Sequence, residues 1–128
     1  MIVVDSSALL AVVLGEPAGS ACLERLAGES DVAIAAGTLA EALIVAGRRG
    51  VRADVERLIR GLSFDVAPLT ADGATRVADA YARWGKGNHA AGLNYGDCFA
   101  YALAQERGCP LLFVGGDFGR TDVAIAQP

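Results

Sequence analysis

The sequence predicts an α/β fold in three layers, α/β/α, with a mainly parallel central sheet. Short apolar runs such as "IVV", "DVAIA" and "PLLFV" alternate with longer stretches of helical periodicity, the order of strand–helix units. The runs are apolar at consecutive positions, as strands covered on both faces must be. Two of them, "MIVVD" and "LLFVGGD", lead directly into a carboxylate. In parallel sheets the polar chemistry collects at the carboxyl ends of strands.

The elements follow in order. Residues 2–5 read as the first strand, since β-branched side chains suit a pleated surface. A helix from about Ser7 to Leu14 takes Ser6 or Ser7 as N-cap and stops at Gly15. Pro17 opens a second helix, "PAGSACLERLAG", with Ala21, Leu23 and Leu26 inward. After the strand "DVAIA" comes the helix "GTLAEALIVAGRRG", with Thr38 as cap and Gly50 as stop. "RADVERLIRGL" is helical, with Val55, Leu58, Ile59 and Leu62 on one stripe. "FDVAP" is a short strand, and Thr70 caps the helix "TADGATRVADAYARWG". A glycine-rich loop, "GKGNHAAGLNYG", precedes the helix "DCFAYALAQERG", which Gly108 ends. "PLLFVGGD" is a core strand, and "DVAIA" over 122–126 is the last.

A chain of 128 residues with 53% apolar and 20% charged residues fits one globular domain over 1–128. No apolar run reaches the roughly 18 residues of a membrane span, and Asp5 falls too early for a signal peptide. A cytoplasmic protein that does not contact membranes is expected. Cys22, Cys98 and Cys109 are odd in number and lack C-x-x-C spacing, so they read as reduced core thiols. A net charge of −4 argues against coating nucleic acid by bulk electrostatics, but not against a local grip. Arg48, Arg49, Arg52, Arg57 and Arg60 fall within thirteen residues, either as a solvated helix face or as a phosphate-holding cluster.

Four acids stand out: Asp5, Glu41, Asp97 and Asp117. Each has a structural explanation of its own. Asp5 could cap a helix. Glu41 completes a T-x-x-E capping-box pattern with Thr38. Asp97 suits a helix N-terminus, and Asp117 follows two glycines as a turn residue would. Taken jointly, all four belong to strand ends or helix starts on one sheet edge. Two carboxylates about 4 Å apart repel by about 4 kcal/mol at an effective dielectric near 20. Several together protonate unless a cation lies among them. Oxygen ligands without Cys or His favour a hard ion, Mg2+ or Mn2+.

The segments "VVDSSAL", "LAEAL", "LNYGDCFAYALA" and "LLFVGGDF…TDV" together resemble the PIN-domain ribonucleases, and most closely the VapC-type toxins of toxin–antitoxin pairs. The resemblance spans essentially the whole chain, in order. It implies a PIN-like fold and a metal-dependent endoribonuclease, hydrolysing RNA phosphodiester bonds to inhibit translation and growth. It also implies a cognate antitoxin that blocks the pocket, and a homodimer. At matching positions it places Asp5, Glu41, Asp97 and Asp117 in the acidic pocket. Asp5, Asp97 and Asp117 then hold the metal, and Glu41 orients or deprotonates water. Ser7 is an accessory candidate if it is not simply a cap, and Asp122 another if it is not a cap or turn residue. Arg83 and Lys86, with Trp84 between them, are candidates for RNA contact. His89, the only histidine, falls in a loop and is not assigned as a general acid. Two positions depart from the pattern: Gly116 stands where Asn or Asp is frequent, and Val114 where Lys or Thr is. Both remove a polar group near the pocket. The alternative is therefore a catalytically weak or inactive PIN-like module acting through antitoxin or RNA binding.

Other phosphate chemistry fits less well. A haloacid-dehalogenase-like site wants a second aspartate two residues after Asp5, where this chain has Ser7. A phosphate-binding P-loop is excluded, because no G-x-x-x-x-G-K-[ST] exists.

Overall fold

A computed structural model describes residues 1–127. Five strands, β1 (Ile2–Val4), β2 (Val32–Ala35), β3 (Asp65–Ala67), β4 (Leu111–Leu112) and β5 (Ile125–Ala126), form one sheet. Its order is β3-β2-β1-β4-β5, and every pairing is parallel. Among the described residues six helices accompany it: α1 (Ser6–Val13), α2 (Gly19–Ala27), α3 (Ala36–Arg48), α4 (Arg52–Gly61), α5 (Ala71–Trp84) and α6 (Tyr95–Arg107). A short 3-10 turn covers Phe118–Arg120. None of these helices is long and apolar enough to cross a membrane.

The period of two along each strand divides the core. Ile2, Val4, Val32, Ile34 and Leu112 enter one cluster with Leu9, Cys22 and Leu26. Val3, Ala33, Ala35 and Leu111 enter the other, with Val77, Trp84, Phe99 and Leu103. Side chains alternate across a strand, so each short run serves both faces at once. This is the three-layer arrangement the sequence predicts. All three cysteines are buried free thiols.

Several boundaries differ from the sequence expectation for local reasons. Asp5, not Ser6 or Ser7, caps α1 and accepts the Ser7 amide. Helix α2 starts at Gly19 rather than Pro17, and its buried stripe is Gly19, Cys22 and Leu26. Leu23 is consequently exposed. A Cβ on Gly19 would fall 2.3 Å from the Ala11 carbonyl, so the bare glycine lets α2 lie directly on α1. Thr38 lies inside α3, fully buried, while Ala35 takes the cap position. Helix α6 starts two residues before Asp97, because Asn94 supplies the cap. Strand β4 is only two residues long. Beyond it the Val114 amide bonds the Ser7 hydroxyl rather than a neighbouring strand, and Gly115 adopts φ +115°. At the other edge, Thr121 turns the chain and shortens β5, with its hydroxyl accepting the Val123 amide.

Helices α5 and α6 are joined by a polar knot in the second core cluster. Trp84 Nε1 donates to the Tyr101 hydroxyl at 2.9 Å, which donates in turn to Asp122 at 2.5 Å. Gln105 donates to both acceptors. Removing the Tyr101 hydroxyl leaves a buried indole N–H without an acceptor, worth about 1–3 kcal/mol. Tyr101→Phe is therefore expected to lower the urea midpoint by that stability with an unchanged m-value. An unaltered midpoint would contradict this account.

Candidate active site

Strand order runs outward from β1 through β2 to β3, then returns to β4 on the opposite side of β1. The carboxyl ends of β1 and β4 therefore flank the reversal point, where parallel sheets open a crevice. Asp5 follows β1 at this point. Its amide is tied to the Leu112 carbonyl at 2.9 Å, so the two strand ends are held side by side.

Asp5 is 2% exposed. Its Oδ2 accepts from the Ser7 amide at 3.1 Å and the Ser7 hydroxyl at 2.7 Å. Its Oδ1 is buried with no partner among the described residues. Burial pushes the Asp5 carboxyl above the usual range, against the pull of the Ser7 hydrogen bonds, and Glu41 adds to the rise. Leaving a buried polar atom unmatched costs about 1–3 kcal/mol, and more for a charged group.

Glu41 reaches the crevice from α3. Its Oε1 accepts the Ser6 hydroxyl at 2.7 Å. No capping box forms with Thr38, whose hydroxyl lies buried and unpartnered within the helix. Asp97 occupies the third position of α6 and forms a capping box with Asn94. Its Oδ2 accepts the Asn94 amide at 3.0 Å, and its own amide donates to Asn94 Oδ1 at 2.8 Å. The structural role and the site role thus coexist, because one carboxylate oxygen suffices for the cap. Asp117 is exposed at the turn after β4 and makes no side-chain cap.

The four acids converge electrostatically on Asp97. Burial first, then the charges of Asp5, Glu41 and Asp117, push its carboxyl up to about 6, against the lowering by the Asn94 amide. Even so, among the described residues no three His, Cys, Asp or Glu side chains are drawn close enough to enclose a metal ion. The residues nonetheless fit a divalent cation. The donors are all carboxylate oxygens, and the orphaned Asp5 Oδ1 is a buried acceptor lacking a counter-charge.

The remaining candidates divide. Ser7 lies within the site: its hydroxyl donates to Asp5 and accepts the Val114 amide at 3.0 Å, linking the two strand ends. At position 114 it is thus the backbone that meets the crevice. Asp122 is bound elsewhere, to Tyr101, Gln105 and Arg83. Arg83 pairs with it at 3.4 Å and lies 4.5 Å over the Trp84 ring, so it is engaged in structure. Lys86 is exposed in the loop over 85–94. His89 packs edge-on against Trp84, and its Nδ1 accepts the Ala91 amide. The sequence reading missed Ser6 as the partner of Glu41, and Gly96 as the surface beneath it. A serine after the strand-end aspartate and a glycine before Asp97 were the only signals.

A proton held more tightly by the folded chain than by the unfolded one stabilises the fold. For Asp97 that contribution is complete below 3.8 and is lost as the pH rises through about 6. Without divalent cations, Asp97→Asn is therefore expected to gain thermal stability relative to the unmodified chain as the pH climbs from about 4 to about 7. A constant or shrinking difference in Tm would contradict the raised carboxyl.

Comparison with known proteins agrees with this architecture. The PIN domain pattern matches residues 2–124. The VapC ribonuclease Mb2004c of Mycobacterium bovis is 43% identical over 125 residues, covering 94% of this chain and 90% of that protein. Among solved structures, VapC20 of Mycobacterium tuberculosis, described as a Sarcin-Ricin loop cleaving toxin, superposes with a TM-score of 0.81 at 18% identity over the full length of both chains. A toxin–antitoxin complex from Klebsiella pneumoniae gives 0.73 at 20% identity, covering 98% of this chain and 97% of that one. With its sheet order, its crevice acids and a family match along nearly its whole length, this chain belongs to the PIN-domain family, in the branch of the VapC ribonucleases.

Proposed function

We propose that the chain is the toxin of a toxin–antitoxin pair, an endoribonuclease that uses Mg2+ or Mn2+ to hydrolyse RNA phosphodiester bonds and so inhibits translation and growth. One observation carries this reading. Asp5, a buried carboxylate with an unpartnered oxygen, lies at the sheet's reversal point, and its charge with those of Glu41 and Asp117 adds to the rise of the Asp97 carboxyl. A fold without work for these groups would gain stability by removing one.

Asp5, Asp97 and Asp117 would hold the cation. When bound, such an ion neutralises charge developing on the phosphoryl oxygens and acidifies water. Glu41 orients the attacking water and takes its proton. Ser7 keeps Asp5 turned into the crevice through the hydroxyl it donates. Asn94 fixes Asp97 by the reciprocal cap. Lys86, exposed and without an ion pair among the described residues, is the better candidate for backbone contact. Arg83 is already paired.

Two protein partners belong to the reading. The VapC relatives and the toxin–antitoxin complex of similar fold support a cognate antitoxin. An apolar strip supports a homodimer. Ile44, Leu69, Tyr81 and Tyr95 are 59%, 51%, 39% and 71% exposed, and Tyr95 packs edge-on against Phe99 at 4.9 Å. Exposed apolar surface of this kind marks an association face.

Purified, antitoxin-free protein is expected to cut RNA with Mg2+ or Mn2+ and to stop in EDTA. Asp5→Asn should lower the rate by at least about 100-fold, the scale at which an essential charged group contributes. Cutting that persists in EDTA or in the variant would overturn the metal mechanism. Metal binding without cutting of any RNA would favour the inactive-module alternative. Light scattering should report a dimer that Ile44→Glu with Tyr95→Glu converts to monomer. A monomeric unmodified chain would remove the dimer from the account.

A further inference from the structure

Glu41 is constrained from two sides, and neither constraint follows from metal binding. Ser6, 8% exposed, occupies the first position of α1 and turns its hydroxyl to Glu41 Oε1 at 2.7 Å. On the other side lies Gly96, in the first turn of α6. A Cβ built there would fall 2.2 Å from Glu41 Oε2, 2.7 Å from Cδ and 2.9 Å from Oε1. The carboxylate therefore lies against bare backbone, at the end of α6 where the helix dipole favours negative charge. Both oxygens are located, one by a donor and one by contact.

The consecutive serines divide the work. Ser7 serves Asp5 and the Val114 amide, whereas Ser6 serves Glu41. An α1 that begins immediately after the aspartate points one hydroxyl to each acid. Three elements of separate sequence origin, α1, α3 and α6, meet at this one carboxylate.

We infer that Ser6 is a positioning residue for Glu41, holding its carboxylate against Gly96 in the orientation that hydrolysis requires. The catalytic half of this inference rests on the nuclease function proposed above; the geometric half does not. A carboxylate released from Ser6 rotates about its terminal bonds, and small misplacements of a catalytic group cost up to about 100-fold in rate.

The test pairs a spectrum with a kinetic cycle. In protein labelled with 13C at glutamate carboxyls, the Glu41 signal is identified by its loss in Glu41→Gln. It is expected to move in Ser6→Ala and to stay in place in Ser6→Thr, which keeps a hydroxyl. In RNA cleavage, Ser6→Ala should lower kcat by about 10- to 100-fold with KM little changed, and Ser6→Thr should restore most of it. In the Glu41→Gln background, Ser6→Ala should cost less than about 2-fold, because a residue acting through Glu41 has nothing left to position. Gly96→Ala, which pushes on the other side of the carboxylate, should move the same signal. An unmoved Glu41 signal in Ser6→Ala, or equal losses of kcat in both backgrounds, would overturn the positioning role. Absence of cleavage by the unmodified chain would overturn the nuclease function and leave the spectroscopic result to decide the geometry.

Discussion

Negative charge held at the junction of β1 and β4 is the constraint on which the rest of this structure depends. A carboxylate at the mouth of a core strand loses its water, and like-charged neighbours add repulsion to that burial. The chain spends a local device on three of the four acids. Asp5 receives two donors from Ser7, Glu41 receives one from Ser6, and Asp97 exchanges a pair of bonds with Asn94. These devices locate the carboxylates without neutralising them, and the raised Asp5 and Asp97 carboxyls record the imbalance that remains. A divalent cation is the simplest group that relieves all of it at once.

Much of this was legible in the sequence, for physical reasons that can be named. "IVV", "VAIA" and "LL" are apolar at consecutive positions because both faces of the sheet are covered, so the layer order followed from the runs themselves. Asp5 and Asp117 drew attention because they follow such runs. What stayed hidden depends on contacts between distant segments. T-x-x-E reads as a capping box only if the helix starts at Thr38, but β2 hands over to α3 at Ala35, which moves Thr38 into the core. Asp122, in "RTD", is an acid like those of the crevice, yet Tyr101, 21 residues earlier, takes it away from there. The link from Ser6 to Glu41 spans 35 residues and left no periodic trace.

The same geometry explains how the two departures from the family pattern are accommodated. At Val114 the crevice uses the backbone amide, bonded to Ser7, so a side chain of another kind there does not disturb the strand junction. Gly116 lies in an exposed turn and leaves the approach to Asp117 open. Two arginines are engaged in structure: Arg83 is paired with Asp122, and Arg120 donates to the Ala90 carbonyl, bracing the loop over 85–94. With a net charge of −4, the chain has little general attraction for a polyanion. In the proposed function, substrate affinity therefore depends on the filled pocket and on local contacts.

The central claim is that Asp5, Asp97 and Asp117 hold a divalent cation beside Glu41. Calorimetric titration of Mg2+ or Mn2+ at about pH 6, repeated in buffers of different ionisation enthalpy, tests it most directly. Burial and the neighbouring acids raise the Asp97 carboxyl to about 6, and ligands must be deprotonated to bind, so the account predicts binding with net proton release, the release being lost in Asp97→Asn. Binding with no proton release, or no binding at all, would contradict it.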